Sequence, residues 1–374
     1  MYAAYVYACV LLVILGGIRE YVGRFALSGR EPVGWALGYL FGGLGAFRFE
    51  VVKANLESWI CLPDLQSGEE PLTRSDGSVP ALVVKLQQHV RRLFEEHLGT
   101  GAAGGANTRL ALSAYWLGVI VIGLGVVLRL SPVCEVDTRR KVFHFMMVAM
   151  FLPTAYVDPT YVALALELVL AIFLLLDLLR ASQLPPLSKP IAWFLTPYVD
   201  GRDLRGPVVI SHIFLLIGCA IPLWLSLGSL GRLGEGALSG WEVPTREVSM
   251  VSGIVCVGLG DAAASLIGRR WGHRKWLWGG GKSVEGSVAF ASAVFVGLMA
   301  ANVWLRAGGW PITSSTADFD IITGWQSSSS WVVIVLKTMV CASIASLTEA
   351  VLTGGNDNVV VPVVLWTCVK SIGL

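Results

Sequence analysis

Ten apolar runs separated by polar turns leave this chain few ways to fold. They lie at 1–17, 33–47, 110–130, 142–157, 161–179, 208–228, 248–268, 288–305, 331–352 and 359–374. In hydrocarbon every backbone N–H and C=O must find a partner inside the protein, so such runs cross as helices. The expectation is an all-α, polytopic membrane bundle of roughly 8–10 transmembrane helices. Only 14% of the residues are charged, against about 25% in a soluble domain. Mean hydropathy is +0.67. Several runs fall short of the roughly 20 residues that a straight span needs. Run 33–47 is glycine-rich and the weakest, and would lie re-entrant or against a neighbour. Run 1–17 has no basic residue before it and reads as a first membrane helix rather than a cleaved leader. The seven cysteines lie far apart, which gives neither a disulfide framework nor a CxxC metal site.

Three regions follow: membrane spans in 1–47, a polar loop in 48–109, and a membrane domain in 110–374. The loop holds a Pro/Gly/Ser/Asp-rich piece and then an amphipathic helix over 81–98, with Leu82, Leu86, Val90, Leu93 and Phe94 on one face. Net charge is only +2, so nothing in the total points to nucleic acid. The distribution of charge is more informative. Placing loop 269–285 in the cytosol and alternating outward gives that side thirteen Lys/Arg after residue 110, from Arg129 to Lys282. The other side receives three, Arg232, Arg246 and Arg306. This is a positive-inside bias. The seven Lys/Arg of loop 48–109 fall on the far side, but long loops count little in this rule.

The densest polar stretch is 260–287, GDAAASLIGRRWGHRKWLWGGGKSVEGS. Asp261 ends one apolar run and Glu285 opens the next. Asp261 and Ser265 share a helix face at i, i+4. Between the runs lie Arg269, Arg270, Arg274, Lys275 and Lys282, with glycines at 279–281. Glycine amides and a lysine can cradle phosphates, and a helix N-terminus near Ser283 adds partial positive charge. Asp261 and Glu285 offer hard oxygens to Mg²⁺, which takes one or two carboxylates plus substrate phosphates. The bland alternative is an ordinary basic loop. Two decoys fail. Gly258-x-Gly260-x-x-Ala263 lies inside an apolar run, not between strand and helix. Gly281-Lys282-Ser283 lacks the first glycine of a P-loop, which would fall at Trp276.

Four further clusters accompany it. Arg140, Lys141 and His144 share a helix face and form a cationic grip, or merely an interfacial anchor. Glu167, Asp177 and Glu349 are acids in apolar surroundings, where carboxylates face a cavity or a partner helix. Asp177 has Arg180 three residues on as an internal partner. Asp200, Arg202, Asp203 and Arg205 alternate in a turn-prone loop that can neutralise itself. Asn356-Asp357-Asn358 follows two glycines, and turn residues in a turn are its simplest reading. Orientation by basic residues alone sends the clusters at 139–144, 200–205, 261–285 and 356–358 to one membrane face. The site so predicted holds a nucleoside triphosphate, a divalent metal and a lipid.

In this order the clusters resemble the dolichol kinase family of polyprenol kinases. The pieces that carry the resemblance are Arg140-Lys-Val-Phe-His144, the span ending Asp177-Leu-Leu-Arg180, and Asp200-Gly-Arg-Asp203 with Gly206-Pro207. They continue in the run from Ser211, Gly260-Asp-Ala-Ala-Ala-Ser265, Lys282-Ser-Val-Glu285-Gly286-Ser, and Glu349 to Asp357-Asn358. Together they cover residues 129 to 374. Asp177 stands where a glutamate is expected, and the N-terminal third is shorter than in many members. The resemblance implies transfer of the γ-phosphoryl group of CTP to the hydroxyl of dolichol at the endoplasmic reticulum membrane, making dolichyl phosphate for glycosylation. Asp261, Lys282, Glu285 and Asp357 are then the expected catalytic residues, and Asp261, Glu285 and Asp357 the metal ligands. Arg140, Lys141, His144, Ser265, Gly280, Gly281, Lys282, Ser283 and Gly286 would line the donor site. Asp357 is the preferred acceptor of the hydroxyl proton. CTP, the polyprenol and membrane lipids are the expected partners. Two competing readings are a kinase for a shorter alcohol such as phytol or farnesol, and a transporter that uses Glu167, Asp177, Lys337 and Glu349.

Overall fold

A computed structural model describes residues 2–63, 85, 88, 101–130, 135–181, 188–195, 210–232, 243–278, 280–312, 331–352 and 356–374. The amphipathic stretch 81–98, apart from Lys85 and Gln88, and the loop carrying Asp200 to Arg205 lie outside these residues.

The described residues are helical, and their β-pairing is confined to two isolated bridges, Arg246 with Ile312 and Lys275 with Ser283. The helices in chain order are α1 (Tyr2–Tyr21), α2 (Pro32–Phe41), α3 (Gly45–Lys53), α4 (Gly101–Leu130), α5 (Val136–Phe151), α6 (Pro159–Ala181), α7 (Ser188–Leu195) and α8 (Ile210–Ser229). After a 3₁₀ turn (Val248–Val251) and a π-helical segment (Ile254–Asp261) come α9 (Ala262–Trp271), α10 (Val284–Ala307), α11 (Trp331–Val351) and α12 (Asp357–Ile372). Among the described residues four helices are long and apolar enough to cross a membrane: Gly104–Leu130, Pro159–Ala181, Val284–Ala307 and Trp331–Val351. Ile213–Ser229 is a shorter apolar helix. The all-α membrane bundle is therefore present, with several of the expected spans short or broken.

The breaks have local causes. Run 33–47 splits into α2 and α3 around an extended Leu44. Pro32 opens α2, where its fixed φ suits a first turn and its missing N–H costs nothing. The expected span 142–157 starts earlier, at Val136, and ends at Phe151, before a turn that leads into α6. Run 248–268 becomes three pieces: 3₁₀, π and α9.

That broken run is the centre of the molecule. Ile254 to Gly258 are buried, and the segment packs against α5, α8, α10 and α12. Leu223, Phe290, Leu298 and Leu365 close the same core. Two glycines permit the approach. A Cβ at Gly258 would strike Val148 on α5, and one at Gly218 would strike the Asn358 carbonyl at the start of α12. A π-bulge widens the helix by one residue per turn and is frequent at functional sites. Here it ends at Asp261, at the junction with α9.

Candidate active site

At one end of the bundle meet the Asp261 junction, the first half of α5, the start of α10, the end of α11 and the start of α12. The polar residues there form two ion-pair sets.

The first set is built on Asp261. Lys141 Nζ donates to its Oδ2 at 2.6 Å, and His144 Nε2 lies 3.1 Å from the same oxygen. Lys141 and His144 sit one turn apart on α5, so a single helix face delivers both. The other ring nitrogen, His144 Nδ1, is 3.1 Å from the Arg140 carbonyl oxygen. The imidazole is thereby held at both nitrogens. His144 is buried and Lys141 nearly so, with side-chain exposures of 8% and 13%. Charges so far from water are retained only when paired.

The second set is built on Lys282. Its ammonium lies 2.7 Å from Glu349 Oε1 and 3.3 Å from Asp357 Oδ2. It also donates to the Glu349 carbonyl oxygen at 2.5 Å. The remaining Asp357 oxygen accepts the Asn358 amide at 3.1 Å. Glu349 lies within electrostatic range of both Asp357 and Asp261, which joins the two sets.

A short hairpin carries Lys282 to this place. The Trp276 amide donates to the Lys282 carbonyl at 3.1 Å and the Val284 amide to the Arg274 carbonyl at 2.8 Å. The tip turns through Gly280 and Gly281, whose φ of 80° and 74° are strained for any residue with a Cβ. The rings of Trp276 and Trp278 stack at 4.5 Å. Their indole N–H groups donate to Ser287 Oγ on α10 and to the Ala350 carbonyl on α11, at 2.9 and 2.8 Å. The hairpin is therefore fastened to both helices that flank Lys282.

The sequence-predicted residues divide accordingly. Lys141, His144 and Asp261 come together, as do Lys282 and Asp357. Ser283 is the N-cap of α10, its hydroxyl accepting the Gly286 amide at 3.1 Å. Gly286 lets α10 press against α9, since a Cβ there would lie 3.2 Å from the Ala264 carbonyl oxygen. Ser265 is half-buried on α9, one turn beyond Asp261. Glu285 is placed differently from expectation. Its carboxylate accepts the Arg274 amide at 3.1 and 3.2 Å, bracing the hairpin base. Among the described residues Asp261, Glu285 and Asp357 do not gather as one metal-holding group. Glu285 is drawn to a backbone amide, and Asp261 to Lys141 and His144. The residue added by the structure is Glu349. Its signal in the sequence was an acid at the end of an apolar run, but its pairing with Lys282 needed the tertiary contact.

Fold and site together define a helical membrane protein with a cluster of shared charges at one end of its bundle. The resemblance to dolichol kinases drawn from the motifs is borne out by comparison with known proteins. A dolichol kinase of Schizosaccharomyces pombe is 35% identical over 234 residues, which are 63% of this chain and 39% of that protein. The dolichol kinase EVAN of Arabidopsis thaliana is 29% identical over 62% of this chain and 40% of its own length. A human dolichol kinase is 31% identical over 52% of this chain and 36% of its own. The matched stretch thus spans about two fifths of the length of these curated relatives. No protein-family model matches the chain, and no solved structure does.

Proposed function

We propose that this chain phosphorylates dolichol with CTP as donor. The reaction would take place at the cytosolic face of the endoplasmic reticulum membrane and supply dolichyl phosphate for protein glycosylation. The observation that carries the reading is the meeting of Lys141, His144 and Asp261 with Lys282, Glu349 and Asp357 at one end of the bundle, in a chain similar to dolichol kinases. The positive-inside distribution supports the cytosolic orientation.

Phosphoryl transfer asks for alignment and charge neutralisation more than for covalent chemistry. Dolichol keeps its tail in hydrocarbon and its hydroxyl at headgroup depth, while the triphosphate comes from water. The end of a membrane bundle is where the two can meet. Lys282, Lys141 and His144 would hold phosphate oxygens, assisted by Arg140 and the amides of Gly280 and Gly281. Asp261 keeps Lys141 and His144 oriented. Asp357 would accept the hydroxyl proton at Oδ2, the oxygen held less closely by Lys282 than Glu349 is.

The donor set suits Mg²⁺. Glu349, whose Oε1 lies 2.7 Å from the Lys282 ammonium, would supply a carboxylate oxygen. Mg²⁺ uses one or two carboxylates and takes its remaining ligands from phosphates and water. When bound, it would neutralise charge on the transferring phosphoryl group.

The test is purified chain in lipid nanodiscs containing dolichol, farnesol or phytol, with labelled CTP or ATP, with and without Mg²⁺. Label should move from CTP to dolichol in a Mg²⁺-dependent manner. Transfer only to the shorter alcohols would favour the alternative kinase. No transfer to any alcohol from either nucleotide would end the reading.

A further inference from the structure

We infer that two copies of this chain associate within the membrane through α6 and α11, Glu167 of each protomer pairing with the partner's Lys337. Glu167 lies eight positions past Pro159, about 12 Å into a helix that rises about 1.5 Å per residue. That helix is long and apolar enough to span a membrane. Glu167 is exposed beside Leu168, which is 60% exposed, with Leu174 and Leu175 further along the helix at 49% and 42%. It makes no hydrogen bond or ion pair among the described residues. An acid turned towards acyl chains is costly, and such residues face a cavity or a polar partner.

The complementary charge is on α11. Lys337 lies six positions past Trp331, about 9 Å into its helix. Among the described residues its ammonium bonds only the Gly373 carbonyl, at 3.2 Å. One and two turns along the same side, Val340 and Ile344 are 48% and 37% exposed. Both helices start from the same end of the bundle. Trp304, near the end of α10, donates to the Pro153 carbonyl in the turn before α6, at 2.9 Å. Arg306 on that last turn lies 5.6 Å from the ring centroid of Trp331, the first residue of α11. Glu167 and Lys337 therefore sit at closely similar depth.

They do not pair within one chain. α8 packs against α6 and α12, and α12 against α11, so two helices stand between them. Two protomers in the same membrane orientation present an acid and a base at one level. A two-fold axis along the membrane normal would form the pair twice, as closed dimers favour.

The experiment is the mass of purified chain in lipid nanodiscs and its subunit exchange, for wild type, Glu167→Lys, Lys337→Glu and the combined exchange. Unfolding temperature is followed for each. The wild type should be dimeric. Each single variant places like charges face to face and should weaken association at least about tenfold, or about 1.4 kcal/mol. The combined exchange should restore it. A monomeric wild type, or a folded double variant no more dimeric than the singles, would overturn the inference. So would association of the wild-type chain only with a different membrane protein.

Discussion

At the end of the bundle that carries Asp158, the described acids Asp158 and Glu247 each have their own cation, and neutral donors complete the set. At the end that carries Asp261, the described acids Asp261, Glu349 and Asp357 divide two lysines among them. Asp158 accepts Arg109 Nε at 2.9 Å, the Tyr161 amide at 2.9 Å and the Tyr39 hydroxyl at 3.2 Å. The Arg109 guanidinium also lies 3.7 Å from the Tyr39 ring centroid, and its NH1 donates to the Tyr39 carbonyl. Nearby, Glu247 pairs with Lys370 at 2.6 Å and accepts Ser249 Oγ at 2.9 Å. This end is a clasp that ties α2 to α4 and to the turn before α6. Asp158 and Glu247 are each engaged by a cation and by neutral donors. Opposite, Lys282 serves both Glu349 and Asp357, while Lys141 shares Asp261 with a histidine. Among the described residues three carboxylates there draw on two lysines and an imidazole. Such an arrangement suits an incoming cation and anionic phosphates. The same residue types thus build a lock at one end and an exchangeable site at the other.

Mutations should separate the two ends. The largest effect is expected from Asp261→Ala, which frees Lys141 and His144 together. Transfer from CTP should fall about 100- to 1,000-fold, measured as labelled lipid phosphate per folded protein. Lys282→Met should cost about 100-fold in kcat/KM, with Lys282→Arg retaining part of the activity because the charge persists. Asp158→Ala should reverse the pattern. It strands Arg109 and should destabilise the fold by about 3 kcal/mol, read by thermal unfolding in nanodiscs, while specific activity of the folded fraction stays unchanged. Glu285→Gln should be mildest. It weakens an exposed brace on the Arg274 amide, and should raise KM for the nucleotide more than it lowers kcat. An equal loss from Asp158→Ala and Lys282→Met in specific activity would erase the contrast between the ends.

Much of this was legible in the chain itself. Apolar runs located α4, α6, α10, α11 and α12, because a membrane leaves a long apolar run little choice but helix. Ser283 and Glu285 marked the start of α10 through ordinary capping chemistry. Charge distribution alone sent residues 139–144, 261–285 and 356–358 to one face, and their described members meet there. The break at Asp261 was not legible. It lies in a π-helical segment where Gly258 and Gly260 admit Val148 of α5 and Phe290 of α10 closely. Glu285 was misplaced for a related reason: spacing along the chain puts it beside Asp261's loop, but a backbone amide of the hairpin takes up its carboxylate. The Lys282–Glu349 pair spans 67 positions and no local pattern announces it.

The central claim is that the six polar side chains at one end form a single site for a metal-bound triphosphate. Equilibrium binding of labelled CTP to the chain in nanodiscs, with and without Mg²⁺, tests it most directly. The account predicts Mg²⁺-dependent binding, weakened at least about tenfold by Lys282→Met on one side of the site and by Asp261→Asn on the other, and unaltered by Asp158→Ala in folded protein. Binding that ignores both site substitutions would contradict it.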